Sequence, residues 1–216
     1  MNLMVSFGAR YFRVARTGAL AAADSKEQEM AKNTSHERML RALAQAIAAR
    51  PHGALKELAV QAGVSKATLH RFCGTRENLV QMLQDHASQV LNTLVRTSDL
   101  DGYSPSSGLR RLISLHLEQR EFIHFLMFQA PPDTLNEAGD GERWHGYIGA
   151  LDAFFLRGQR AGAFRIDLPA VAMSELFMAT VWAVIDAERR GRIARAGRSQ
   201  MIEAFFLSGT ALCQCR

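Results

Sequence analysis

Lys66, Thr68, His70 and Arg71 fall within six residues, and in a helix their spacing around Leu69 and Phe72 puts the polar side chains on one face. A short helix offering ammonium, hydroxyl, imidazole and guanidinium groups from one side has the donors that a DNA major groove or a row of phosphates requires. Other residues of chemical type lead elsewhere. His116 and His124 stand eight apart, but no Cys, His or carboxylate completes a ligand set at metal spacing, so they are expected to be buried or pocket-edge histidines. Cys213 and Cys215 flank Gln214, where the reading as small apolar residues at a helix end outweighs a metal or redox role. The chain carries no phosphate-cradling glycine loop, no HExxH or CxxC spacing and no Gly-x-Ser-x-Gly turn. No catalytic residue, metal or cofactor is therefore expected.

The element that must position the donors lies just before them. Leu55, Leu58, Ala59 and Ala62 keep a helical period, Gly63-Val64-Ser65 interrupts it, and a second run follows with Ala67, Leu69 and Phe72. Gly63 can take the positive φ that ends a helix, Val64 can plug the angle, and the Ser65 hydroxyl can cap the next helix. The pattern is helix, tight turn, helix.

Leu58-Ala59, Ala62-Gly63-Val64-Ser65, Thr68-Leu69-His70-Arg71-Phe72 and Thr75-Arg76-Glu77-Asn78-Leu79 together make the block from about Glu37 to Leu83 resemble the DNA-binding domain of the TetR (tetracycline-repressor-like) family of bacterial regulators. The block covers about a fifth of the chain, and the remainder is similar to that family in architecture only. The resemblance implies an all-α fold: an amino-terminal three-helix helix-turn-helix DNA-binding domain and a carboxyl-terminal helical domain for ligand binding and dimerisation. It also implies a connecting helix whose ligand-driven movement changes the distance between the two readers of a dimer. The sequence departs from the family pattern in three places. Gly53 and Ala54 stand where the family usually caps a helix with Thr or Ser, Cys73 where it has an aromatic residue, and His70 where it has Tyr.

Charge is segregated. The net charge of the chain is +5, residues 36–80 carry seven Lys or Arg against three Asp or Glu, and residues 81–216 carry 14 against 15. Residues 1–35 carry five against three, so the largest basic excess lies in residues 36–80, which favours a nucleic-acid partner for one domain only. With 48% hydrophobic residues the chain can fill a core, and no apolar run reaches the ~20 residues of a membrane span. The odd cysteine count fits a reducing cytosol, so a cytoplasmic protein without membrane contact is expected.

Taken in order, residues 1–32 read as a weakly structured or spurious extension. An organelle-targeting peptide and a minor-groove arm are the other readings of Arg10, Arg13 and Arg16. Residues 33–92 form the DNA-binding domain, whose first helix is predicted from a Ser35 cap to about Arg50. Arg76 to about Arg96 follows as one long connecting helix. Residues 93–216 form the second domain, with helices predicted over Leu109 to Gln129, Arg143 to Ala161, Pro169 to Gly191 and Ser199 to Cys213. Ser65, Lys66, Ala67, Thr68, His70, Arg71, Thr75 and Arg76 are the candidate DNA contacts, with Ala67 and Thr68 nearest the base edges. His116, Phe122, Phe125, Trp144, Tyr147 and Phe155 supply more aromatic surface than packing needs and are the candidate pocket for an apolar or amphipathic effector. Phe177, Val181, Ile202, Phe205, Phe206 and Gly209 lie on two strongly apolar helices and are the candidate dimer interface. The expected function is a sequence-specific, ligand-responsive repressor acting as a homodimer on double-stranded DNA. The alternative is a helical small-molecule-binding protein or enzyme whose amino-terminal domain mediates protein contacts.

Overall fold

Helix α1 occupies residues 30–49 of a computed structural model that describes residues 30–129 and 140–210, among which every regular element is helical. The chain divides into two compact units, Met1–Arg41 and Ala42–Arg216. In the first, the described residues are helical from residue 30 onward, with an ion pair between Glu37 and Arg41 at 2.9 Å. Ser35 therefore lies inside the helix and does not cap it. The remainder of the proposed extension, the connector at 130–139, and Cys213 and Cys215 lie outside the described residues.

The second unit continues with α2 (Leu55–Gln61), α3 (Lys66–Cys73), α4 (Arg76–Thr97), a 3₁₀ turn (Leu100–Gly102), α5 (Pro105–Glu118), α6 (Arg120–Gln129), α7 (Asp140–Arg160), α8 (Ala170–Arg189) and α9 (Arg198–Thr210). Pro51 ends α1 because it cannot extend the helical ladder, and Gly53 N–H closes the turn on the Arg50 carbonyl at 2.9 Å. Ser104 caps α5 by accepting from Ser107 N–H, with Pro105 at the first helical position. The single helix expected over Leu109 to Gln129 is two. Gln119 leaves the helical path between α5 and α6, its N–H bonding the His116 carbonyl at 2.9 Å. His116 and His124 thus stand on different helices and are not two turns apart on one.

The core of this unit gathers residues of α4, α5, α7, α8 and α9. Its centre is aromatic: the Phe155 ring lies 5.6 Å from Phe164, 6.1 Å from Phe177 and 5.4 Å from Phe206 between centroids. Helix α8 is long and apolar enough to cross a membrane by length and composition, contrary to the expectation of no such run. Met173, Phe177, Val181 and Ile185 form a buried stripe along it, the pattern of a bundle's core helix.

Candidate nucleic-acid interface

The reader is built from its turn outward. Helix α2 lacks a side-chain cap at Ala54, and Glu57 compensates by accepting from the Ala54 N–H at 2.9 Å, half of a capping box. Its other end closes through Gly63, at φ +69°: Gly63 N–H bonds the Val60 carbonyl at 3.2 Å and Val64 N–H the Ala59 carbonyl at 3.0 Å. These are the two bonds of a Schellman motif, which requires the left-handed residue that glycine supplies. Ser65 then caps α3, its hydroxyl accepting from Thr68 N–H at 3.0 Å and lying 2.8 Å from Thr68 Oγ1.

Leu69 and Cys73 anchor α3 inward, where the Cys73 thiol donates to the Leu69 carbonyl at 3.2 Å. Burial pushes that thiol's pKa up, so Cys73 serves as a small apolar residue in the aromatic's usual place. Lys66, Ala67, His70 and Arg71 are exposed together, and Thr68 is half-buried between them. That face offers one ammonium, one guanidinium and one imidazole to solvent with no acidic residue on the helix.

Thr75 opens α4 by accepting from Asn78 N–H at 3.2 Å. Arg76 departs from expectation. Its side chain is half-buried, and Nη2 donates to the carbonyl of Pro51, which ties the start of α4 to the turn after α1. A guanidinium committed to a backbone carbonyl ties the start of α4 in place, while Lys66 and Arg71 remain exposed on α3.

A cavity of about 110 Å³ lies among α4 to α8. Of the six aromatic-pocket candidates, His116, Trp144 and Tyr147 line it, while Phe122, Phe125 and Phe155 are fully buried in packing away from it. Leu91, Met127, Met178 and Trp182 line it as well and carry no sequence signal beyond their apolar character. His116 is fixed from both sides. Its Nδ1 lies 2.7 Å from the Leu112 carbonyl and its Nε2 2.7 Å from the Tyr147 hydroxyl. The carbonyl can only accept, so Nδ1 carries the proton and the Tyr147 hydroxyl donates to Nε2. Burial pushes the His116 pKa down to about 4 and the Tyr147 pKa up, which keeps both neutral.

His124 meets Asp186 across α6 and α8 at 3.7 Å, too long for a hydrogen bond. Burial, then the nearby Arg189, lower its pKa against the pull of Asp186. Among the described residues no group of His, Cys, Asp and Glu could hold a metal ion. The dimer candidates divide in the same way as the pocket candidates. Phe177, Val181, Ile202 and Phe206 are buried in the chain's own core, whereas Phe205 is 69% exposed. Gly209 lies in α9, outside the residues whose surroundings are described.

A capped eight-residue helix, held by a glycine turn and presenting basic and hydroxyl side chains beside a helical bundle, defines a helix-turn-helix DNA-binding regulator. No family model matches the chain. The HTH-type transcriptional regulator NfxB of Pseudomonas aeruginosa is 54% identical over 175 residues, spanning 81% of this chain and 94% of NfxB. The HTH-type transcriptional repressor LfrR of Mycolicibacterium smegmatis is 25% identical over 173 residues, 76% of this chain and 82% of LfrR. Among solved structures, the TetR-like regulator LfrR in complex with proflavine superposes with a TM-score of 0.59 at 25% identity, covering 81% of this chain and 97% of that one. The chain belongs to the TetR family of helix-turn-helix transcriptional regulators, and is a DNA-binding regulator rather than an enzyme.

Proposed function

We propose that this protein is a cytoplasmic repressor that binds a palindromic operator as a homodimer and is released by a small apolar or amphipathic effector. In this reading residues 33–92 bind DNA and residues 93–216 bind the effector and the second protomer. The observation that carries it is the outward face of α3, where Lys66, Ala67, His70 and Arg71 stand exposed without a neighbouring acid on the helix. Lys66 and Arg71 reach phosphates, while Ala67 and Thr68 lie nearest the base edges. A reading helix of eight residues makes few base contacts alone, and two of them about one DNA turn apart, ~34–36 Å, reach useful affinity.

The homodimer is supported by apolar side chains that the protomer leaves outward on α8 and α9: Val171 and Leu176 on the first, Met201 and Phe205 on the second. Release by an effector is supported by the cavity among α4 to α8 and by the proflavine complex of LfrR, a relative named as a repressor. The test is selection of bound duplexes from random DNA with the full chain. Enrichment of a palindrome with half-sites one turn apart is the expected result, and recovery of unrelated sequences with equal efficiency would reject sequence-specific regulation.

A further inference from the structure

Helix α4 is the rod on which the reader is carried. At its start Arg76 donates to the Pro51 carbonyl and Asn78 Nδ2 to the Cys73 carbonyl at 3.1 Å, while Leu79 and Leu83 are fully buried. These contacts hold α3 and the first turns of α4 in one geometry. At the other end Leu91, Leu94 and Val95 enter the bundle core, and the 22 residues from Arg76 to Thr97 run as a single helix. The direction of α4 within the bundle therefore fixes where α3 stands.

Two helices hold that rod from the side. Against α6, Gln84 Nε2 donates to the Gln129 carbonyl at 3.3 Å and the His86 ring meets Phe122 at 5.0 Å between centroids. Against α7 the approach is closer. Asn92 Nδ2 donates to the Arg143 carbonyl at 3.0 Å and to the Ser88 carbonyl of its own helix at 2.9 Å, and Arg143 Nη2 lies 2.8 Å from Asp85. Gly146 leaves the room for this amide: a methyl there would stand 2.7 Å from Asn92 Oδ1. Glycine is a poor residue for a helix interior, and α7 carries one where the Asn92 side chain crosses to it. At Gly149, less than one turn later, a methyl meets nothing within 4 Å.

We infer that Asn92, seated on the Arg143 carbonyl in the space left by Gly146, is a positioning residue that sets the half-site spacing the protein accepts. The inference rests on the reading as a homodimer on a palindromic operator and names the contact that measures that operator. Asn92 lies sixteen residues from Arg76, ~24 Å of helix, so a tilt of ~10° at the seat displaces the reader by ~4 Å, more than the ~3.4 Å rise of one base pair. A spacing that is off by one base pair asks α4 to tilt, which draws Asn92 from the Arg143 carbonyl. The cost of that hydrogen bond becomes selectivity for spacing.

The test takes the selected palindrome, versions of it with the half-sites moved one base pair at a time apart or together, and an isolated half-site. Affinities are measured by fluorescence anisotropy for the full chain and for Asn92→Ala, Gly146→Ala, the double variant and Gly149→Ala. Asn92→Ala deletes the amide. Gly146→Ala displaces it without backbone strain, since Gly146 is not among the residues of positive φ. Each is expected to lower the preference for the optimal separation over its neighbours by about fivefold or more, the worth of one hydrogen bond, with half-site affinity unchanged. The double variant is expected to match the single ones, because both remove the same contact. Gly149→Ala should keep the full preference. Melting curves confirm folding, and Gly146→Ala, which improves helix propensity, decides the matter should Asn92→Ala not fold. An unchanged preference in Asn92→Ala or Gly146→Ala, an equal loss in Gly149→Ala, additive losses in the double variant, or a parallel loss of half-site affinity would overturn the inference and leave the operator reading standing. Equal binding of the unaltered chain at every separation would overturn the homodimeric operator reading, and this inference with it.

Discussion

Arg76 and Lys66 carry the same charge ten residues apart, and their surroundings give them different work. Lys66 is exposed on the outward face of α3, whereas Arg76 is half-buried with its guanidinium on the Pro51 carbonyl. Lys66→Ala is therefore expected to weaken binding to specific and random DNA alike and to reduce the salt slope by about one, measured as log affinity against log salt. Arg76→Ala is expected to leave that slope unchanged and to lower stability by about 1 kcal/mol, because the half-buried Pro51 carbonyl loses its donor. A reduced salt slope in Arg76→Ala would restore the phosphate role. Residue type alone could not separate the two, since the carbonyl that captures Arg76 comes from a turn 25 residues earlier. His116 yields a second expectation. Its pKa is about 4 in the folded protein against an ordinary 6.5, so as pH falls below 6.5 the unfolded chain takes up the proton first. The stability held by the neutral ring is complete above pH 6.5 and is lost as pH falls toward 4, by about 2 kcal/mol at pH 5. The His124 pKa is lowered too and acts with the same sign. Urea unfolding at pH 7 and pH 5 should show the drop, and His116→Gln should shrink it; an undiminished drop in the variant would argue against His116 as the source.

At the scale of elements, the turn between α2 and α3 was legible from three residues. Gly63 closes α2 and Ser65 caps α3 as their residue types require, with the Val64 N–H completing the turn. Adding a methyl at Gly63 meets nothing within 4 Å, so Gly63→Ala carries a backbone cost alone, of about 1–2 kcal/mol from the left-handed conformation. Its urea midpoint should fall accordingly while DNA specificity is retained, and an unchanged midpoint would contradict the left-handed turn. The break at Gln119 was not legible. Leu117-Glu118-Gln119-Arg120-Glu121 contains neither Gly nor Pro and has good helical propensity throughout. Leu112, Ile113 and Leu117 before the break and Phe122 and Phe125 after it are all buried, and at helical spacing those five positions do not fall on one face of a single straight helix.

For the whole molecule, the two apolar helices at the carboxyl end divide their faces between the core and solvent. Phe177, Val181, Ile202 and Phe206 turn inward, and Val171, Leu176, Met201 and Phe205 turn outward. Phe205→Glu therefore places a charge on the outward face without entering the core. Its melting temperature as a protomer is expected to change little, by the equivalent of about 0.5 kcal/mol or less. Sedimentation should show the monomer, and affinity for a selected palindrome should fall more than tenfold while affinity for a half-site is kept. A dimer that persists in Phe205→Glu would move the interface off this face.

By itself the sequence determined the all-helical class, the reader and its donor face, because each depends on periodicity, capping and turn residues within a dozen positions. It marked which helices are rich in aromatic residues but not which rings meet. Phe155 belongs to a cluster with Phe164, Phe177 and Phe206, whereas Trp144, Tyr147 and Trp182 border a cavity, and those groupings join residues from different helices. Only the tertiary structure decided them, since burial is a property of what packs against a face and a residue's own type says only that it will be covered.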